Sequence, residues 1–428
     1  MKTPTPLNLG KIVNTDNLEH PLTNEADQLI GLAKLMRMAY SGVDLAPLGT
    51  QLIERAGASS STTTASANAL MDLYTVLLLR GERDLALSMQ AAALRMQQIY
   101  SAPTATGQIA IRLLTIMTPG DLMANTPLEF LLENSDVALD MLYVGQELPL
   151  PPALPDHDVL FVSIAESDQN LPLLAQIGEA VKSWPRPVIN MPERIALMSR
   201  NAACTLLKKV PDIVMPDTHR VGRQILEQVA REERTITGIL ADGDFPVIVR
   251  PVDSHAGQGL NKIDDPAAMA NYLLKMPNDE FYVARFVDYR SKDDQFRKYR
   301  IVLIEGQAYI CHLAISSHWM IHYLNAGMAD SAEKRAEEAR VMADFDSGFA
   351  RRHAEALRVI GERVGLDYLG IDCGETARGE LLVFEIDNSM IVHAIDPVDV
   401  FPYKQAQMHK VFDAFRRMLG NAAQRGAL

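Results

Sequence analysis

The chain has 428 residues, a formal net charge of −13 and 48% hydrophobic residues. That length predicts about two or three domains with ample cores, and the acidic balance excludes a global basic field for nucleic acid or anionic lipid. Three cysteines, Cys204, Cys311 and Cys373, are odd in number and widely spaced, which fits reduced thiols better than a disulfide framework or a zinc site.

Residues 22 to about 100 read as helices. Residues 25–40 carry apolar side chains at helical spacing, and residues 59–66, rich in Ser, Thr and Ala, look like a linker or a helix approach. Residues 69–79 and 85–100 form a helix pair broken near Gly81. The placement of Tyr74, Gly81, Ala86 and Ala93 resembles one tetratricopeptide repeat, a hairpin that cannot bury its own face alone. It is either a docking surface for a peptide or protein partner or, more readily, a structural helical cap. From about residue 109 the period changes: residues 109–117, 138–144, 158–164 and 186–190 read as strands, with helices at 127–132 and 170–183. That alternation predicts a small parallel, doubly wound layer. The Pro-rich residues 149–155 form a loop within it, and no G-x-G-x-x-G follows the first strand. The longest apolar runs, such as residues 73–79, are too short to span a bilayer, and residues 1–6 lack the apolar core of a signal peptide. The expectation is therefore a soluble, cytoplasmic protein with no membrane or nucleic-acid partner, and the sequence leaves a homo-oligomer open.

Helical segments over 194–210 and 221–233 lead to a strand, residues 245–251, that ends in Arg250. A turn containing Ser254, His255, Gly257 and Gly259 follows, with cations on either side. Glycines let backbone N–H groups approach phosphate oxygens, although Gly257-x-Gly259 alone reads more readily as a hairpin turn. It is not a Walker A loop. Residues 280–287 form a strand, and residues 296–310 form a hairpin that turns at Glu305-Gly306, with Arg300 opening its first strand. Residues 330–364 read as one solvated amphipathic helix. Two further strands end in acids and would set Asp372, Glu385 and Asp387 side by side. Glu385 and Asp387 alternate with Phe384 and Ile386, so both carboxylates share one strand face. Three hard oxygen ligands suit Mg²⁺; solvated strand ends are the bland alternative. His318 and His322 at i, i+4 would share a helix face. With no third ligand visible, substrate contact or ordinary packing is favoured over a metal for them and for His312. His393 follows the acidic strand closely and could line the same cleft.

The order of these features, a cation with a Gly loop, a strand, an Arg at a hairpin start and acids on terminal strands, resembles the ATP-grasp superfamily. Within it the likeness is to ribosomal-protein-modifying glutamate ligases and glutathione synthetases. The resemblance covers residues 189–419. It implies an α/β protein with α+β grasp lobes over residues 191–428 and a small parallel α/β domain over 106–190, which the helical N-terminal region over 1–105 precedes. It implies that Arg250, Ser254, His255, Gly257 and Gly259 meet nucleotide phosphates. The segment Arg285, Phe286 and Val287 would line the adenine through backbone groups, with Asp288 near the ribose. Arg300 would act on the γ-phosphate or an acyl phosphate, and Asp372, Glu385 and Asp387 would hold Mg²⁺, or Mn²⁺ in its place. Asn325, His318 and His393 would face the substrates.

Three departures stand out: Arg250 occupies a place usually held by Lys, Arg200 stands near where a second nucleotide-binding Lys is expected, and Asp387 replaces the usual Asn. The last adds charge to the metal site. The implied function is ATP-dependent carboxylate–amine ligation through an acyl phosphate, on small-molecule or peptide carboxylates and amines. The alternatives are an inactive nucleotide-binding regulator or scaffold, and a kinase-like transfer that stops at the phosphorylated product.

Overall fold

The computed structural model describes residues 28–58, 63–104, 109–241, 243–254 and 257–426. They form two compact units, one of residues up to 165 with 175–191 and 389 onward, the other of residues 166–174 and 192–388. Both are mixed α/β.

The first unit opens with four helices, α1 (Leu32–Tyr40), α2 (Ala46–Gly57), α3 (Thr63–Leu79) and α4 (Arg83–Met96). Helix α3 is apolar nearly all round and buried along most of its length, as expected of a helix in the middle of a layer. It begins at Thr63, so Ser66 lies inside a helix rather than a linker; residues 59–62 lie outside the described residues. Helix α2 lies within the stretch that reads as helical, although its own bounds are not separately expected; a Pro in its first turn is an ordinary start signal. Tyr74, Ala86 and Ala93 of the repeat-like hairpin are all buried within this unit.

Next come β1 (Ile99–Ser101), β2 (Ile111–Met117), α5 (Leu128–Leu131), β3 (Val137–Tyr143), β4 (Val159–Val162), α6 (Leu171–Val181) and β5 (Val188–Ile189). The strands lie in the order β1-β3-β2-β4-β5. All neighbours run parallel except β1, which pairs antiparallel with β3. The expected parallel layer is present, with β1 as an edge taken from a stretch that reads as helix. Tyr100 accounts for the difference: its ring is fully buried and packs edge-on against Tyr143. The C-terminal helix, Lys404–Gly426, packs on the same unit, with Arg416 ion-paired to Asp136 at 2.8 Å and Phe415 beside Phe161.

The N-terminus of α1 is held from two sides. Asp72 of α3 accepts the N–H groups of Ile30 (2.8 Å) and Gly31 (3.1 Å), and Glu129 of α5 accepts that of Leu32 (2.8 Å). These acids satisfy otherwise orphan donors at the positive end of the helix. Gly31 has φ of 88°, and a Cβ there would lie 2.6 Å from a Glu129 oxygen, so glycine is required.

The second unit contains α7 (Pro192–Ile195), α8 (Arg200–Leu207), β6 (Ile213–Val214), β7 (Thr218–Gly222), α9 (Arg223–Ala230), β8 (Val247–Pro251), β9 (Asn261–Ile263), α10 (Pro266–Lys275) and β10 (Glu280–Arg285). These are followed by β11 (Phe296–Ile304), β12 (Gln307–Ser316), α11 (Ala332–Ala343), α12 (Phe349–Arg352), α13 (Ala354–Val364), β13 (Tyr368–Glu375) and β14 (Leu381–Asp387). An antiparallel sheet, β7-β10-β8-β9, is backed by α9 and α10 around Leu226, Val249, Met269 and Phe281. A second sheet runs β12-β11-β13-β14-β6. Residues 330–364 are three helices, not one. Between α11 and α12 the chain turns at Gly348, and this buries Phe345 and Phe349, whose rings stack at 5.7 Å. Nor is α11 wholly solvated, since Glu338 is fully buried and accepts from the Leu313 N–H and the Tyr323 hydroxyl.

Candidate functional site

Three adjacent strands of the second sheet place Arg300 of β11, Asp372 of β13 and Glu385 of β14 in one row. Asp372, 1% exposed, accepts a forked pair from Arg300, at 2.8 Å from Nε and 2.9 Å from Nη2, and a third bond from Lys298 Nζ at 2.6 Å. Burial alone would raise its pKa, but Arg300 and Lys298 more than offset that and hold it far below the usual carboxylate range. Register shifts fall right after Arg300 and right after Asp372. Bulges at these points re-aim side chains, which is where strands commonly deviate beside functional groups. Lys298 went unremarked in the sequence, yet it stands two residues before Arg300 and so belongs to the same strand face.

Arg250, at the end of β8, is 7% exposed. Its guanidinium donates to the Ser254 hydroxyl (Nε, 3.1 Å) and to the Ser254 carbonyl, and it makes no ion pair among the described residues. Its pKa falls to about 10, first through desolvation and then through a second cation, Arg200. Arg200 opens α8 and binds the Glu385 carboxylate. Glu385 is held below its ordinary pKa: burial pushes it up, but Arg200 and Arg250 outweigh that. Two guanidiniums thus act on a single carboxylate.

Acids crowd the other side. Glu166 is pushed up to about 7 by burial and then by Asp253, Asp168 and Asp387, with Arg200 opposing. Glu166 and Asp253 carry no local sequence signal. Glu166 reaches this place from beyond β4, more than two hundred residues before Asp387. Among the described residues no trio of His, Cys, Asp and Glu is grouped to hold an ion, and the Asp372 oxygens are already engaged by Arg300 and Lys298. Glu385, whose carboxylate Arg200 binds, and Asp387 are the other two acids of the predicted trio.

Gly257 and Gly259 both adopt left-handed backbone conformations, with φ of 73° and 67°. A Cβ on Gly259 would lie 2.6 Å from Pro251 Cδ, and its carbonyl accepts from the Tyr272 hydroxyl at 2.9 Å. His255 lies outside the described residues. Arg285 ends β10 and Val287 follows half-buried; the Phe286 N–H donates to the Pro246 carbonyl at 3.0 Å. The Phe286 ring meets Trp319 edge-on, with Lys262 Nζ 5.0 Å from its centre. Asp288 is exposed and pairs with Arg290 at 2.7 Å.

His318 and His322 do not share a helix. His318 sits in a bend, where its Nδ1 accepts from the Met320 N–H, and His322 caps a short 3-10 turn whose Asn325 side chain accepts from the His322 N–H at 2.9 Å. The i, i+4 spacing therefore brings no metal pair together. His322 has a lowered pKa, through desolvation and then Lys298 and Arg300. His312 packs against Tyr323. His393 belongs to the first unit, where its ring meets those of Tyr40 and Phe130 at 5.9 Å each. All three cysteines are buried and free. No helix among the described residues is long and apolar enough to cross a membrane.

No family model matches the chain, and no curated protein matches it. Among solved structures it is similar to D-alanine–D-alanine ligase from Bacillus anthracis complexed with ATP, at 12% identity and a TM-score of 0.47, over 74% of this chain and 99% of the other. It is also similar to an ATP-grasp RimK domain protein from Sphaerobacter thermophilus (16%, 0.41, 72% and 99%) and to VanG D-Ala:D-Ser ligase from Enterococcus faecalis (14%, 0.43, 72% and 99%). Overlaps this loose do not bear on chemistry, which has to come from the site itself.

Proposed function

We propose that the second unit binds ATP and catalyses carboxylate–amine ligation through an acyl phosphate, releasing ADP and phosphate. The observation that carries this reading is the Arg250 guanidinium, buried with no carboxylate partner and with Arg200 adding to the positive field. A buried guanidinium with no direct ion-pair partner is expensive, and a polyphosphate is a ligand that neutralises it by forked hydrogen bonds. Gly257 and Gly259 let the following turn approach phosphate oxygens with bare N–H groups.

The donor set fits a divalent cation as well. Mg²⁺ is commonly held by one or two carboxylates together with substrate phosphates, so Glu385 and Asp387 suffice, and the acid crowding that raises Glu166 is relieved by added positive charge. When bound, the ion would screen phosphate charge during transfer. Arg300 and Lys298, locked in place by Asp372, would stabilise the charge that develops on the transferred group, pre-oriented at no cost during reaction. Asp372 then acts as the anchor of these cations rather than as a metal ligand. No protein nucleophile is required, because the substrate carboxylate and amine supply the reacting atoms.

The test is ADP release from the full chain with ATP, Mg²⁺ and panels of amino acids and short peptides, with product mass spectrometry. The reading predicts release that needs both a carboxylate and an amine, yields an amide, and disappears in Glu385→Gln. A phosphorylated product with no amide would overturn ligation in favour of kinase-like transfer.

A further inference from the structure

The first unit contains a partly open cavity of about 60 Å³ between α1, α3, α5 and the face of β2 and β3. Such a volume takes about four waters or one molecule of a few heavy atoms. Most of its wall is apolar, with Met71, Met117, Leu122 and Met141 among the lining residues. Its charged lining is entirely acidic: Asp72, Asp121 and Glu129 line it, and no Lys, Arg or His does. Asp121 is matched by Arg83 at 3.2 Å, and both Asp72 oxygens are taken by backbone N–H groups. Glu129 spends only Oε1, on Leu32; Oε2 has no partner among the described residues. Beside it, Tyr143 is 6% exposed and lines the cavity, and its hydroxyl makes no hydrogen bond among the described residues. Tyr74 is different, since its hydroxyl already donates to the Gly120 carbonyl at 2.6 Å.

Two open polar groups, one of them an acid, thus line a largely apolar cavity with no cationic side chain in its wall. Anions are repelled by such a wall. A neutral apolar guest would leave Glu129 and Tyr143 unpaired. An ammonium group offers three N–H donors, and a short alkyl stem fills the apolar remainder. We propose that this cavity binds a small primary alkylamine as its ammonium ion, with Glu129 Oε2 and the Tyr143 hydroxyl as acceptors. Burial, and for Glu129 also the neighbouring Asp72, lifts the carboxyls of Asp72 and Glu129 to about 7, so a bound cation would favour their ionised forms.

The experiment is thermal unfolding of the full chain in ethylamine or n-propylamine hydrochloride, against sodium chloride of equal ionic strength and against 1-propanol. A saturable rise in Tm with the amines alone is expected. Tyr143→Phe removes only a hydroxyl with no partner, so its unliganded Tm should hold, while its amine affinity drops about tenfold or more, the scale of one hydrogen bond to a charged group. Glu129→Gln should abolish the rise. Glu385→Gln should retain it, which separates this site from any amine site in the second unit. Equal amine stabilisation of the wild type, Tyr143→Phe and Glu129→Gln would overturn the proposal, as would a wild type that responds to amines no more than to sodium chloride.

Discussion

Burying a guanidinium without a carboxylate strips hydration that Ser254 alone replaces only in part. The opposite arrangement holds in the other sheet, where Asp372 is saturated by Arg300 and Lys298. The two behave differently on substitution. Asp372→Asn leaves two cations around a neutral amide and should destabilise the chain by about 3–5 kcal/mol, as breaking a buried pair does. Chemical denaturation would show this as a lower midpoint at unchanged slope. Arg250 was legible from sequence because a cation ends an apolar strand just before a Gly-containing turn. Lys298 was legible in principle through strand alternation. Glu166 was not, because only the fold brings residue 166 to the neighbourhood of Asp253 and Asp387.

Elements were legible where the period was clear. Strands β2, β3, β4 and the hairpin of β11 and β12 sit within a few residues of their expected bounds. The misses have particular causes. Residues 330–364 keep helical spacing through a point where burial of Phe345 and Phe349 forces a turn, and β1 is a strand because Tyr100 must be buried. The glycine turn after β8 makes its own prediction. Gly259→Ala puts a Cβ 2.6 Å from Pro251 at a φ of 67°, so the turn must shift. Nucleotide affinity, measured by titration calorimetry, should fall while the unliganded Tm changes by only a few degrees.

The capping of α1 predicts a pH dependence. Burial pushes Asp72 and Glu129 from the ordinary carboxylate range up to about 7. The folded state therefore binds more protons than the unfolded one between about pH 4 and 7, and stability falls as pH rises through that window. Arg55 and Lys34 temper the effect at Asp72. Glu166 adds to it from the other unit. Tm should accordingly be lower at pH 8 than at pH 5, and Glu129→Gln should flatten the slope; an unchanged slope would contradict the assignment.

At the scale of the whole molecule, residues 389–428 return to the first unit after the second is complete. Nothing local in the sequence signals this return, since a terminal amphipathic helix can pack on any apolar face. It carries His393 into contact with Tyr40 and Phe130. The acids and cations of the second unit are drawn from β8, α8, β11, β13, β14 and the residues after β4, so the site exists only once the long-range pairings are made. The central claim is that Arg250 awaits a nucleotide polyphosphate, with Arg200, already bound to Glu385, adding to the positive field. Its most direct test is thermal stabilisation by ATP and ADP, with and without Mg²⁺, in the wild type and in Arg250→Met. The account predicts a Mg²⁺-enhanced rise in Tm for the wild type. Arg250→Met should equal or exceed the wild type in unliganded stability, because an unpaired buried charge is gone, and should lose nearly all of the nucleotide-induced rise. An equal rise in both proteins, or none in the wild type with any nucleotide, would contradict it.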